Sequence, residues 1–593
     1  MALADVSGDR IYVVSEYRDK DLIRAVPGAA WNKDDRVWTV PLSWASCLTL
    51  RGLFRERLEI GPALSAWAWQ HRTGVVEPAL ALRTKLDGEL PTTGGERLYS
   101  YQKAGVNFLT TVRKGLLLDE MGTGKTIQGI YTLRTLEERG EAVFPALIVG
   151  PNSMKRTWVN EFATWWPGVQ VAILDGTRAK RLKAIEAIKT GEAQVLVANW
   201  EGLRGHSRLA GYGSVALKGC ANCDRASTGK PEQCERCPRE LNEIAWKSII
   251  ADEAHRMKDP KAKQSRALWA LATKDTTTRI AATGTPIASA PDDLWSALHF
   301  VDSEAWPTKT KYIDRWCLTS YNPFGGMTVV GLKPDTKDEF FAITDPMTIR
   351  RPKSLVLSQL PAKQYQTRYV EMSPKQRKAY EQMRDEMITQ LENGERVWAS
   401  NPLTQLIRLT QFSSAYAEYN GEDEQPTLSD PSNKIDGLMD LLDELGSKPV
   451  VVFAQSRQLI ELAARRLEKA GISYSMIVGG QTDGERELNR RQFQDEGKTQ
   501  VMLATIQAGG TGLTLTRADT LVFLQRSWSM IDNAQAEDRV HRIGSEVHES
   551  VNIIDLVTPD TVEVRQREVL EGKKDRAQEF VRDEKLIKEL LSA

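Results

Sequence analysis

The sequence predicts an α/β protein: two parallel-sheet lobes, a zinc ribbon inserted in the first, and a small N-terminal α+β module. Three observations carry that prediction. Two series of short apolar runs alternate with helical segments, over about 98–300 and 448–558. Four of the six cysteines, Cys220, Cys223, Cys234 and Cys237, follow C-x2-C-x10-C-x2-C spacing. The first sixty residues instead mix short strands, a helix and a tryptophan hairpin.

Composition narrows the class. With 593 residues there is chain for several cores, and 41% hydrophobic with 27% charged residues excludes a disordered, collagen-like or disulfide-scaffold chain. The 79 basic and 79 acidic residues cancel, so bulk charge cannot hold the protein on a polyanion. The balance is local: residues 101–300 carry 28 basic against 21 acidic residues, and 301–593 carry 38 against 45. Basic clusters 177–183 and 258–266 lie in the first half, where contact with a polyanion is expected. No apolar run approaches the roughly 18 residues that cross a membrane. The first ten residues, MALADVSGDR, lack a secretory layout, so a reducing cytoplasmic setting is expected, with no membrane partner.

The elements follow in order. IYVVS alternates as a strand, DKDLIRAV reads as helix, and WNKDDRVWTV reads as a hairpin between Trp31 and Trp38. Those tryptophans either form the core of a small domain or stack on bases. LPTTGGE marks a boundary. GLLLD, ALIVG, VLVAN, SIIAD and RIAAT are the strands expected of the first lobe. PVVVFA, SYSMIVG, VMLATI, TLVFL and SVNIIDLV are those of the second. Trp269 and Trp295 fit helix packing, and Cys47 and Cys317 read as unpaired thiols.

Within the first series, LLLDEMGTGKT runs from a strand through a glycine turn into a helix. Gly122, Thr123 and Gly124 let amide N–H groups face a phosphate chain; Lys125 would reach the β/γ-phosphates and Thr126 would hold Mg2+. A stricter phosphate loop has glycine where this chain has Asp119. IIADEAH follows, with two carboxylates at the end of an apolar strand. Alone they would be a solvated strand end; after a phosphate loop they read as Asp252 orienting Mg2+ and Glu253 polarising the attacking water. In QAEDRVHRIG, Arg539 and Arg542 are three apart and would share a helix face, as cations for γ-phosphate. The four clustered cysteines suit tetrahedral Zn2+ in a closed, structural site. Lys218, Arg225 and Lys230 beside them read as phosphate contacts or as solvated loop charges.

Taken together, these residues resemble the Swi/Snf family of superfamily 2 helicase-like ATPases. The likeness runs over about 98–560, in order, through LYSYQKAG, DEMGTGKT, ALIVGPNSMKRTWVNEF, VANWE, DEAHRMK, ATGTPIASAPDDLWSALHF, IRRPK, VVVFAQS, ATIQAGGTGLTLTRAD and QAEDRVHRIG. It implies RecA-like lobes, ATP and Mg2+ as cofactors, and DNA, duplex or forked, as partner. It implies that Gln102 contacts adenine, and that Thr283, Gly284 and Thr285 couple hydrolysis to movement. Gly510, Gly512, Gln535, Arg539 and Arg542 would close the site from the second lobe. Two departures stand out: Ser545 replaces the usual Gln, and IASAP replaces the usual Gln-Asn stretch. Residues 25–43 resemble the HARP module of annealing helicases in the same family, which implies help at forks or junctions.

The division expected is a HARP-like module at 1–60, a linker at 61–97, and a first lobe at 98–300 carrying the ribbon at 216–241. A helical linker or protrusion at 301–430, a second lobe at 431–560 and a bracing C-terminal helix at 561–593 follow. The function expected is an ATP-dependent DNA translocase in replication, recombination or repair, acting at the nucleoid or other DNA. The absence of bromodomain-like or chromodomain-like extensions speaks against chromatin remodelling. The alternatives are a strand-separating helicase, a polymerase-displacing motor, and a catalytically inactive nucleic-acid-binding adaptor.

Overall fold

The computed structural model describes residues 1–220, 223, 234–284, 291–322, 326–392, 402–418, 426–509, 513–567 and 570. They fall into two units, one up to Val356 and one from Leu357. The inner residues of the ribbon, Thr285, Gly510, Gly512 and most of the bracing segment lie outside the described residues.

In the first unit the five apolar runs become the centre of a seven-stranded parallel sheet. Its spatial order is Thr348–Ile349, Lys114–Leu117, Thr278–Ala282, Ser248–Asp252, Ala146–Gly150, Val195–Asn199, Val171–Ile173. Thr278–Ala282, Ser248–Asp252 and Ala146–Gly150 are buried at every position, which is why they read as unbroken apolar runs rather than alternating ones. Two apolar clusters cover the faces. One is built on Leu147, Leu196 and Ile249 with Trp200, Trp246 and Trp295; the other on Ile148, Ile250 and Ile280 with Phe108, Trp158 and Phe162. Trp269 and Trp295 meet edge to face at 5.6 Å within the first cluster.

The N-terminal residues form their own five-stranded sheet, in the order Ala30–Asn32, Val37–Pro41, Arg10–Ser15, Ala2–Ser7, Leu58–Ile60. Trp31 pairs with Trp38 across the hairpin, their rings 5.4 Å apart. Trp38 packs on the module's core, whereas Trp31 is 47% exposed, so the core reading holds for one tryptophan and not the other. Helix Trp44–Phe54 places Ala45 and Leu48 against the large cluster of the parallel-sheet lobe. Lys274 pairs with Asp9 at 3.1 Å, so the module sits directly on that lobe. Residues 62–83 run as nearly continuous helix between module and lobe.

The second unit holds a six-stranded parallel sheet: Ala362–Tyr369, Ser550–Val557, Thr520–Phe523, Val450–Ala454, Val501–Thr505, Tyr474–Ile477. The stretch 301–430, expected to be helical, holds the helices Lys309–Trp316, Lys337–Thr344, Pro374–Glu392 and Pro402–Phe412, and strands besides. It contributes the hairpin Cys317–Asn322/Gly326–Leu332, the edge strand Thr348–Ile349 of the first sheet, and the edge strand Ala362–Tyr369 of the second. AKQYQTRY is exposed at most positions, and such a polar edge gives no apolar signal. No helix among the described residues is long and apolar enough to cross a membrane.

Candidate functional site

The first unit gathers its candidate residues at the carboxyl ends of neighbouring strands. Strand Lys114–Leu117 ends at the loop 118–124, and helix Lys125–Glu138 follows. Gly122 and Gly124 sit at φ 75° and 77°, the left-handed region that glycine adopts without cost. Gly124 caps the helix with no side-chain acceptor, and a Cβ there would collide with the Gln102 amide. Gln102 donates from Nε2 to the Thr123 carbonyl at 3.1 Å, and the Tyr101 hydroxyl donates to the same oxygen at 2.8 Å. Lys125 Nζ donates to the carbonyls of Asp119 and Glu120, at 2.9 and 3.0 Å. Thr126 is half-buried in the first turn. A helix N-terminus with uncapped amides and an ammonium resting on neutral carbonyls fits a polyphosphate, because phosphate oxygens are stronger acceptors than the carbonyls they replace.

Asp252 closes strand Ser248–Asp252 in a fully buried position. Its Oδ2 accepts from Trp158 Nε1 at 3.0 Å, and its Oδ1 from the Glu253 amide at 2.9 Å. Trp200 Nε1 donates to the Asp252 carbonyl at 3.1 Å. Burial, then the neighbouring Glu253 carboxylate, pushes the Asp252 carboxyl up to about 6. A carboxylate so placed is short of positive charge, which is what a divalent cation supplies. Glu253 holds φ +50°, rare for a residue with a side chain, and strain of that kind collects at functional sites. His255 Nδ1 lies 3.4 Å from Glu253 Oε2 and 3.0 Å from Thr283 Oγ1. Thr283 in turn donates its amide to the Leu117 carbonyl at 3.0 Å. A Cβ on Gly284 would lie 2.7 Å from Met121 Cγ and 3.0 Å from the Met121 amide nitrogen, so the segment after Thr283 abuts the phosphate loop. Lys125, Asp252, Glu253, Thr283 and Gly284 therefore belong to one corner.

In the second unit, helix Met530–Glu537 ends before Arg539. The shared helix face expected for Arg539 and Arg542 is not there: both lie in the turns that follow. They converge for another reason. Arg539 Nη1 and Arg542 Nη1 donate to one carbonyl, that of Leu513, at 3.3 and 3.1 Å, and Arg539 Nε donates to the Gln535 carbonyl at 3.0 Å. Leu513 directly follows the Gly510–Gly512 segment, so residues 26 and 29 apart in sequence meet at its carbonyl. Glu537 anchors the helix: Lys363 Nζ and Arg526 Nη1 each lie 3.0 Å from it, and the Tyr365 hydroxyl donates at 2.9 Å. Burial alone would raise the Glu537 carboxyl; Lys363 and Arg526 instead hold it below the usual range. Ser545, the departure in this motif, is fully buried.

The four cysteines come together with all sulfurs within 4.8 Å of one another. Cys220 and Cys237 sulfurs are 3.4 Å apart and Cys223 and Cys234 3.9 Å, close to the roughly 3.8 Å edge of a tetrahedron with ~2.3 Å Zn–S bonds. The set fits a closed metal site. Glu235, within the second knuckle, pairs with Lys263 at 2.7 Å and ties the ribbon to the lobe.

Sequence reasoning assigned no role to Trp158, Trp200, Gln128, Arg351 or Glu537. One signal was present: Asp119 ends an apolar strand, and a buried carboxylate requires a partner. That partner is Arg351 of the IRRPK motif.

Residues 101–416 match the SNF2-related domain model, and residues 433–544 match the helicase conserved C-terminal domain model. Protein CHROMATIN REMODELING 5 of Arabidopsis thaliana is 28% identical over 83% of this chain and 27% of its own length. ISWI chromatin-remodeling complex ATPase ISW1 of Saccharomyces cerevisiae is 27% identical, over 80% and 40%. The uncharacterized ATP-dependent helicase MG018 of Mycoplasma genitalium is 24% identical, over 85% and 44%. The chain thus spans less than half the length of these relatives. The Sulfolobus solfataricus SWI2/SNF2 ATPase core in complex with dsDNA aligns at 22% identity over 80% of this chain and 91% of its own, with a TM-score of 0.36.

Proposed function

The chain belongs to the SNF2-related family, and from that premise we propose that it is a DNA-dependent ATPase motor. The observation that carries the reading is the continuous contact from Glu253 through His255 to Thr283, with Gly284 against the phosphate loop. A hydrolytic carboxylate and the loop that senses phosphate share one chain of close contacts, as an engine converting hydrolysis into movement requires.

Lys125 and the uncapped amides hold the phosphates; Thr126 and Asp252 would hold Mg2+. When bound, that ion supplies charge neutralisation on the phosphates. Glu253 accepts the proton of the attacking water, and His255 steadies Glu253 against Thr283. We assign Arg539, Arg542 and Gln535 to the γ-phosphate, Gln102 to adenine, and Gly510, Gly512 and Thr285 to closing and coupling, following the motif order. Four cysteine sulfurs would hold one structural Zn2+.

DNA is the proposed track, named for the relatives that carry "DNA helicase" and "chromatin" in their descriptions. The N-terminal module, with Trp31 exposed and Arg24 over the ring of its hairpin partner Trp38, supports contact with forked or single-stranded regions, and so a role in replication, recombination or repair. The deciding experiment measures ATP turnover with single-stranded, duplex and forked DNA. Turnover should rise with DNA and vanish in Lys125→Ala and Glu253→Gln while DNA binding persists. No turnover by the wild type on any of these DNAs would overturn the motor reading and favour an inactive adaptor.

A further inference from the structure

Asp119 opens the phosphate loop and is 0% exposed. A carboxylate taken so far from water needs a cation and a full set of donors. Arg351, itself 2% exposed, supplies both. Its Nε donates to Asp119 Oδ1 at 3.0 Å, its Nη2 reaches Oδ2 and also Gln128 Oε1 at 3.0 Å, and its Nη1 donates to the Tyr101 carbonyl. Gln128 Nε2 closes the ring by donating to Asp119 Oδ2 at 3.2 Å. Each partner belongs to an element that shapes the loop. Tyr101 also holds the Thr123 carbonyl, and Gln128 is one turn into the helix that Lys125 opens.

The backbone makes the same connection. The Leu118 amide donates to the Ile349 carbonyl at 2.8 Å, the Glu120 amide to the Arg351 carbonyl at 3.3 Å, and the Lys353 amide to Glu120 Oε2 at 2.7 Å. The first leg of the phosphate loop is therefore laddered to residues 349–353, the segment from which the chain passes into the second unit at Leu357. On its other side the same leg offers the Asp119 and Glu120 carbonyls to Lys125.

We propose that Arg351 is a positioning residue of the phosphate site, holding the Asp119–Glu120 leg in register with segment 349–353. Phosphate drawing Lys125 off those two carbonyls is then felt in the segment leading to the second unit. Arginine suits the task because its charge is permanent and its fork is rigid, so both Asp119 oxygens are fixed at once. A buried pair of this kind adds little net stability, and its value lies in fixing geometry. The inference rests on the nucleotide-site reading given above.

Binding of a fluorescent ADP analogue tests it, beside thermal unfolding and proteolysis of segment 349–357 with and without nucleotide. Arg351→Lys keeps the charge and loses the fork. It should unfold close to wild type yet bind the analogue roughly ten- to a hundredfold more weakly, the range expected when a supporting contact is lost. The neutral pair Arg351→Gln with Asp119→Asn should also fold, bind as weakly, and lose nucleotide protection of segment 349–357. Wild-type affinity in either folded variant overturns the proposal, and should the lysine variant not fold, the neutral pair decides. A wild-type protein that binds no analogue, or a Lys125→Ala variant that binds like wild type, overturns the nucleotide reading itself. That is settled before any Arg351 variant is compared.

Discussion

The corner of the first unit and the arginine corner of the second hold their charges differently. In the first, the carboxylates are themselves held, Asp252 by Trp158, Asp119 by Arg351 and Gln128, and Glu253 beside His255, while Lys125 rests on the Asp119 and Glu120 carbonyls. In the second, the lock is on a neighbour. Glu537 carries the ion pairs with Lys363 and Arg526, while Arg539 and Arg542 rest on the neutral Leu513 carbonyl. A carbonyl is a weaker partner for guanidinium than a carboxylate or phosphate. The first corner thus has preorganised carboxylates, and the second has a fixed base at Glu537, with the Leu513 carbonyl among the partners of its arginines.

The contrast predicts its largest effect at Arg542. Arg542→Ala should lower ATP turnover by about a thousandfold, the lower range for a transition-state arginine, with little change in nucleotide binding or unfolding temperature. Steady-state kinetics beside calorimetry would show it. A variant with normal turnover, or one that unfolds early, would make this arginine a structural residue and erase the distinction.

Next comes the anchor. Glu537→Ala removes the carboxylate that Lys363 and Arg526 share and leaves them to Asp538 and Asp555, so the cost is about 3 kcal/mol, the low end for breaking a buried pair. The expected result is a clear drop in thermal stability. If Glu537→Ala unfolds like wild type, the second corner has no fixed base, and the difference between the two regions disappears.

These two residues also show what the sequence could and could not tell. Arg542 was legible because it lies in a contiguous motif whose order along the chain is informative. Glu537 lies in the same motif, yet its partners come from Lys363 on an edge strand with no apolar signal and from Arg526. The parallel strands were legible because burial on both faces writes itself as unbroken apolar runs; Ala362–Tyr369, exposed along most of its length, was not. Arg539 and Arg542 were expected on one helix face, and spacing alone could not show that the helix stops at Glu537. Asp119 announced the need for a partner, but the distance in sequence to Arg351 hid which residue meets it.

The smallest effect separates the two corners most finely. Trp158 lies in the apolar cluster with Phe162, and its indole N–H is the donor to Asp252 Oδ2. Trp158→Phe keeps an aromatic ring in that cluster and removes the donor alone. Hydrogen bonds to charged groups are worth about 1.5–3 kcal/mol, so ATP turnover at limiting Mg2+ should fall about ten- to a hundredfold. If the indole orients the carboxylate, the variant should also need roughly tenfold more Mg2+ to reach half-maximal turnover, as when outer-shell partners of metal ligands are removed. If the indole only fills space, the Mg2+ curves of variant and wild type will superimpose, whatever happens to stability. The first corner would then be packed rather than preorganised. The indole–carboxylate bond would be a by-product of packing.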